Sequence, residues 1–270
     1  MRSLGVGWSG VAFLAAGLLG GIPVTAWATP SPPTPITIVN PSFEANTPSN
    51  TAGVYYNGGV GSQDYYAFGS FTGWSWNGAS YAGWWHPSTL EYPGGGSTSV
   101  AATNIPNGAQ VAFVNGGASL SQVLTTKLTS NSSYALSFSV GQRSDIPLPS
   151  AYSVELLAGS NILATWSNLM APLPTAPGAG EFVSDTLLFT SQTQNDPYAG
   201  LALGVVLQAG GSTNNEVSYD ALNLNVINDV NLIPEPTSVG VLIVGLIGTL
   251  VLSRRRAPAK NIPASSTPSR

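Results

Sequence analysis

Apolar and polar positions alternate along several short stretches of the chain. Tyr134, Leu136, Phe138 and Val140 are separated by Ala135, Ser137 and Ser139, and the same period of two runs through Tyr152, Val154 and Leu156 and through Leu201, Leu203, Val205 and Leu207. A period of two puts every second side chain on one face, as in a half-buried strand. Ile36-Thr37-Ile38-Val39 predicts a first strand. Gln110 to Val114, then Asn115-Gly116-Gly117, then Leu120, Gln122 and Leu124 read as a hairpin around a tight turn. In the last strand the phase slips between Val217 and Tyr219 and the following Leu222, Leu224 and Val226, which predicts a bulge near Asp220-Ala221 that aims a carboxylate at a sheet rim. No 3.6-residue period persists between residues 36 and 230. The expectation is an all-β domain over 36–230, an antiparallel β-sandwich.

The two ends follow a different pattern. Arg2 precedes an apolar stretch, Val11 to Leu19, that closes at the small-x-small sequence Ala26-Trp27-Ala28, so residues 1–28 read as a secretory signal peptide cleaved after Ala28. Residues 29–35 are a proline-rich spacer. At the other end, Pro234-Glu235-Pro236 is followed by an apolar run, Val239 to Leu252, and then by Arg254-Arg255-Arg256. Thr237 to Ser253 would extend about 25 Å as a helix, enough for a thin bilayer. The basic cluster stays cytoplasmic, which predicts one C-terminal transmembrane helix over about 237–253, residues 29–233 outside, and 257–270 as a cytoplasmic tail.

Composition narrows the function classes. Charged residues are 7% of the chain, and eight Lys and Arg cannot neutralise many phosphates, so nucleic acid is excluded as a partner. The formal charge of −4 divides unevenly: +1 at Arg2, −9 over residues 29–233, and +4 over 234–270. So acidic a domain favours neutral or Ca²⁺-bridged glycans over polyanions. There is no cysteine, hence no disulfide framework and no thiol nucleophile, and His86 is the only histidine.

Two resemblances rest on these residues. Pro234-Glu235-Pro236, the apolar run and Arg254-Arg255-Arg256 resemble the PEP-CTERM sorting signal, here residues 231–256. The resemblance implies recognition and processing by an exosortase at the inner membrane, then release to the cell surface or extracellular matrix. Ile38-Val39-Asn40-Pro41-Ser42-Phe43-Glu44, Gly73-Trp74, Leu120-Ser121-Gln122, Tyr134 to Phe138 and Tyr219 to Leu224 together resemble galactose-binding-like jelly rolls, a group that includes many carbohydrate-binding modules. That resemblance implies a structural Ca²⁺ held by Glu44 and Asp220, carboxylates of the first and last strands. Hard oxygens of this kind suit Ca²⁺, although the second acid or amide common after the aspartate is Ala221 here.

Candidate chemistry concentrates between Tyr55 and Tyr92, where twelve of thirty-eight residues are aromatic. Aromatic faces on sandwich loops can stack on sugar rings, which makes Trp84, Trp85, Tyr81, Trp76 and Tyr66 candidate ligand-binding residues; the alternative is that these rings cover the core, with Trp74 foremost among core residues. No G-x-S-x-G elbow occurs. Asp64, Glu91, Asp145 and Asp196 could serve a glycosidase, but no motif ties any two together. The expectation is therefore a non-enzymatic envelope or biofilm-matrix protein without catalytic residues, with extracellular polysaccharide as its candidate ligand. A structural or adhesive surface protein and a secreted glycan-active enzyme are the alternatives.

Overall fold

The structure is a computed structural model and describes residues 31–47, 53–57, 62–92, 100–192 and 194–228. The segments expected to be signal peptide, sorting signal, membrane helix and tail lie outside the described residues. Among the described residues no helix is long and apolar enough to cross a membrane.

Thirteen strands are described: β1 (Thr34–Ile36), β2 (Val54–Tyr56), β3 (Tyr65–Phe68), β4 (Ser75–Gly78), β5 (Ala82–His86), β6 (Val111–Asn115), β7 (Ala118–Lys127), β8 (Ser132–Gln142), β9 (Ala151–Ala158), β10 (Asn161–Ser167), β11 (Glu181–Thr190), β12 (Ala202–Gly210) and β13 (Glu216–Asn228). They form two antiparallel sheets. The larger runs β11-β8-β13-β6-β5-β3-β2, with β1 added alongside β13, and the smaller runs β10-β9-β12-β7-β4. The predicted antiparallel β-sandwich is what the chain adopts. Leu136, Phe138 and Val140 of β8 meet Val154 and Leu156 of β9 and Leu203, Val205 and Leu207 of β12 in the core between the sheets. These are the positions that the period of two marks as inward.

Two local expectations change and a third holds. The stretch around Asn115-Gly116-Gly117 is no hairpin, because β6 pairs with β5 and β13 in the larger sheet while β7 pairs with β12 and β4 in the smaller. The chain crosses the sandwich edge there, and glycine is needed: a Cβ on Gly116 would lie 2.2 Å from the Ser212 carbonyl oxygen, and Gly117 has φ +88°. The first strand lies earlier than Ile36–Val39, since Thr34 to Ile36 pair with Val226 to Leu224, so pairing begins inside the expected spacer. Beyond it the side chain of Gln122 takes over the pairing: Val39 N–H donates to Gln122 Oε1 and Gln122 Nε2 donates to the Val39 carbonyl. In β13 the register against β8 shifts between Asp220 and Asn223, with Ala221 at φ 53°, which is where the phase slip put the bulge.

Alternation also sorts the large sheet into two faces. Ala82, Ala112, Val114, Val217 and Tyr219 join the core between the sheets. Trp85, Val111 and Phe113 point away from it and form a second buried cluster with Tyr92 and Ala102. All five residues of β5 are buried as a result. Trp84, on the opposite side of β5 from Trp85, is also fully buried.

The close approach of β3 and β5 depends on Gly83. A Cβ there would lie 1.9 Å from the Ala67 carbonyl oxygen and 3.1 Å from the Phe113 ring. Gly83→Ala forces two paired strands apart and should cost about 1–3 kcal/mol or more of stability, measured by denaturant unfolding. An unchanged midpoint would show that the pairing of β3 with β5 yields freely.

Candidate active site

The outer cluster of the large sheet does not close completely. A cavity of about 290 Å³ opens beside it, lined by Asn57, Tyr66, Phe68, Tyr81, Trp85, Phe113, Asn115, Arg143 and Glu216. Strand periodicity explains the lining: Tyr66 and Phe68 are alternate residues of β3, Trp85 and Phe113 face outward from β5 and β6, and Glu216 opens β13 opposite Asn115. The rings pack edge and face. Phe68 lies 4.5 Å from Tyr81 and 6.0 Å from Phe113, and Tyr66 meets Phe113 edge-on at 6.3 Å. Tyr81 is 56% exposed and Trp85 only 1%, so the aromatic wall runs from the rim to the floor.

One guanidinium organises the polar wall. Arg143 donates from Nε and Nη2 to the two carboxylate oxygens of Asp145 at 2.9 and 2.7 Å, and from Nη1 to Glu216 Oε1 at 3.4 Å; Glu91 Oε1 lies 3.9 Å from Nη2. Its Cζ sits 4.5 Å above the Trp85 ring, in cation–π range. Behind that ring, Trp85 Nε1 donates to Asp64 Oδ1 at 2.7 Å. Glu91 accepts both the backbone N–H and the hydroxyl of Ser88 at 3.1 and 2.7 Å.

Burial decides where the protons sit. It pushes the Glu91 carboxyl up to about 7, with a smaller upward push from Asp64, against the Ser88 hydrogen bonds and Arg143. Burial raises Glu216 as well and outweighs the attraction of Arg143. For Arg143 burial disfavours the charge, but Glu216, Asp145 and Glu91 more than offset it, so the guanidinium stays charged. A cavity whose wall holds a charged arginine and a buried carboxyl raised by desolvation is equipped to donate a proton.

Of the expected ligand residues, Trp85, Tyr81 and Tyr66 come together at this cavity. Trp84 and Trp76 do not: Trp84 turns to the other side of β5, and Trp76 lies on β4 in the smaller sheet, its Nε1 donating to the Ser80 carbonyl. Asp64, Glu91 and Asp145 converge around Arg143 and Trp85, while Asp196 caps a turn elsewhere by accepting the N–H groups of Gln192 and Tyr198. Glu216 and Arg143 were not anticipated. The available signal was Arg143 itself, one of two cations in residues 29–233 and therefore the obvious counter-ion for any cluster of acids.

Glu44 and Asp220, the expected Ca²⁺ ligands, grip one turn. Glu44 Oε1 accepts the N–H groups of Ala109 and Gln110 at 2.7 and 2.6 Å, and Asp220 accepts those of Asn107 and Ala221 at 2.7 and 2.6 Å. Asp220 is fully buried, and burial lifts its carboxyl to about 7, with Glu44 adding a smaller upward push. The pair offers two carboxylates with spare lone pairs; the remaining oxygens of a six- to eight-fold shell would have to be backbone carbonyls. Among the described residues no group of three or more His, Cys, Asp or Glu could hold a metal ion.

The family model described as HpiC1-like, HpiC1 cyclase, matches residues 34–225. The solved structure of the Stig cyclase Fisc from Fischerella sp. TAU, in complex with (3Z)-3-(1-methyl-2-pyrrolidinylidene)-3H-indole, is 24% identical, with a TM-score of 0.54 over 72% of this chain and 98% of that one. A cyclase from Fischerella sp. TAU in complex with 4-(1H-indol-3-yl)butan-2-one is 23% identical, with a TM-score of 0.52 over 72% of this chain and 97% of that one. At these identities the two structures establish the shared fold. The carbohydrate-binding module TmCBM61, in complex with β-1,4-galactotriose, is more distant, at 12% identity and a TM-score of 0.40 over 68% of this chain and 94% of that one. No curated protein matches the chain. The expectation of a non-enzymatic matrix protein without catalytic residues is overturned by the family match, since the matching family is one of cyclases and the match covers nearly the whole described domain. The aromatic cluster forms the wall of a cavity, and three of the acids beside it meet at one arginine. From β1 into β13, the chain belongs to the HpiC1-like cyclase family.

Proposed function

We propose that the protein is an enzyme that closes a ring on an aromatic substrate by acid catalysis, with Glu216 as the proton donor. The observation that carries this reading is the position of Glu216, a buried carboxyl raised by desolvation, in the wall of a cavity otherwise lined largely by aromatic rings. The carboxyl gives its proton to an unsaturated carbon of the substrate. Positive charge then develops against the faces of Tyr66, Phe68, Tyr81, Trp85 and Phe113, which stabilise a cation and keep water from trapping it. A carbon of the same molecule attacks the cation, and the ring so formed loses a proton back to the Glu216 carboxylate. No atom is gained or lost. Initiation by loss of an anionic leaving group is less well served, because the guanidinium at the cavity is already committed to three carboxylates.

A 3-substituted indole with an unsaturated side chain is the proposed substrate class. The ring-lined cavity supports it, as do the indole compounds bound by the Fischerella cyclases. The full chain incubated with a 3-alkenylindole should yield a cyclised isomer of unchanged mass. Glu216→Gln should lower the rate at least about 100-fold. Because the acid must be protonated, the wild-type rate should hold below the pKa of Glu216 and fall as pH rises through it. Full activity in Glu216→Gln sinks the assignment.

For the bulge site we propose a structural Ca²⁺ held by Glu44 and Asp220. The metal would supply the positive charge that these two carboxylates lack among the described residues. EDTA should lower the melting temperature of the wild type and leave Asp220→Ala unaffected; identical wild-type melting curves with and without EDTA would dismiss the metal.

For the terminal segments we propose export by the signal peptide, a jelly-roll domain outside the cytoplasm, and PEP-CTERM sorting through Pro234-Glu235-Pro236 and Arg254-Arg255-Arg256 with processing by an exosortase. The division of charge into +1, −9 and +4 supports it. Mass spectrometry of the protein from its host should find a mature N-terminus at Thr29 and no peptide ending at Arg270. An intact C-terminal peptide would rule out processing.

A further inference from the structure

Few polar groups line the cavity, and its arginine and its acid are engaged with each other: Arg143 Nη1 donates to Glu216 Oε1 at 3.4 Å. The Trp85 N–H is likewise taken, by Asp64. Asn115 is different. Its Nδ2 donates to the Thr213 carbonyl at 3.0 Å, and this bond fixes the sense of the amide, because the opposite flip would set two oxygens against each other. Oδ1 is thereby turned away from Thr213 and has no hydrogen-bond partner among the described residues. The side chain that carries it lines the cavity.

The backbone beneath this amide is held from two sides. Asn115 N–H donates to the Tyr81 carbonyl at 2.9 Å, Gly116 N–H donates to the Asn215 carbonyl at 3.0 Å, and Asn115 stands directly opposite Glu216 in the pairing of β6 with β13. Residues paired in this way have Cβ atoms about 4.5–5.5 Å apart. A fixed acceptor and the acid thus share one stretch of wall. The other uncommitted polar groups have no fixed sense: the hydroxyls of Tyr66 and Tyr81 rotate, and no hydrogen bond among the described residues orients the Asn57 amide.

One preset carbonyl oxygen in an aromatic enclosure suits a flat ligand with a single N–H and no acceptor of its own, and an indole has that inventory. A hydrocarbon or an ether leaves the oxygen unpaired, and an N-alkylated indole presses an alkyl group against it. Resting on the indole reading above, we propose that Asn115 is the residue that selects N-unsubstituted indoles: its Oδ1 accepts the substrate's N–H. The pyrrole edge that carries the N–H also carries the 3-substituent. Seating the N–H on Asn115 therefore brings the root of that substituent to Glu216 and turns the benzo ring toward the aromatic wall, which determines the carbon that the acid meets.

The test compares 3-methylindole with 1,3-dimethylindole by calorimetric titration into the full chain. The wild type should bind 3-methylindole about 10-fold more tightly than its N-methylated counterpart. In Asn115→Leu, which removes the acceptor, the two should bind within about twofold of each other. A preference that survives unchanged in Asn115→Leu overturns the proposal, because some other group then reads the N–H. Should Asn115→Leu fail to fold for want of its tie to Thr213, the ¹⁵N-labelled wild type decides: the Asn115 side-chain amide signals should move further with 3-methylindole than with 1,3-dimethylindole, and equal movement overturns the proposal. Equal affinity of the wild type for the two ligands removes the role of Asn115 alone and leaves the indole class standing; absence of binding by either ligand removes both.

Discussion

The larger sheet has to be covered on both faces, and most of the molecule follows from that requirement. Its inner face meets the smaller sheet, as in any sandwich. Its outer face carries Trp85, Val111 and Phe113, which water would penalise, and the second cluster with Tyr92 and Ala102 answers that penalty. The cover is built from short strands and connecting segments, not from a third sheet. It leaves a gap at the rim between β3, β6 and the start of β13, and that gap is the cavity.

Charge is scarce in this protein, and where it occurs it is concentrated. Of the two cations in residues 29–233, Lys127 sits at the end of β7, and Arg143 is surrounded by Asp145, Glu216 and Glu91. A single buried guanidinium cannot neutralise three carboxylates, so the least solvated of them keep protons to pH values where exposed carboxyls have long lost theirs. Burial thus raises both glutamates beside Arg143, Glu91 to about 7. The same economy operates at the bulge, where Asp220 is raised to about 7 by burial although two backbone N–H groups favour its ionised form.

The sandwich was legible because alternation in β8, β9 and β12 is unbroken and each of these strands has one inner face. The phase slip at Asp220 was legible for the same reason. The edge strands were harder to see: β11 is half exposed along its length, and its pattern has no single apolar face. The turn at Gly116-Gly117 misled because two strands joined by a tight glycine turn look alike whether they pair with each other or go to different sheets; only the Ser212 backbone packed against Gly116 distinguishes the cases. At the cavity the individual acids stood out, but their convergence did not. Asp64, Glu91, Arg143 and Glu216 are brought together by pairings among β3, β5, β6, β8 and β13, and no local spacing encodes contacts of that range. Function was misjudged at the same point, since a set of separate carboxylates suggests no chemistry and a shared guanidinium does.

Pairing of Thr34 with Val226, and of Ser132 with Asn228, puts the first and last described strands at one end of the larger sheet. Glu216 starts β13 at the opposite end, about 40 Å away along twelve residues of strand. Both ends of the described domain therefore lie at the pole remote from the cavity. A tether that reached the domain at either of these ends would hold it by the end of the larger sheet farthest from Glu216.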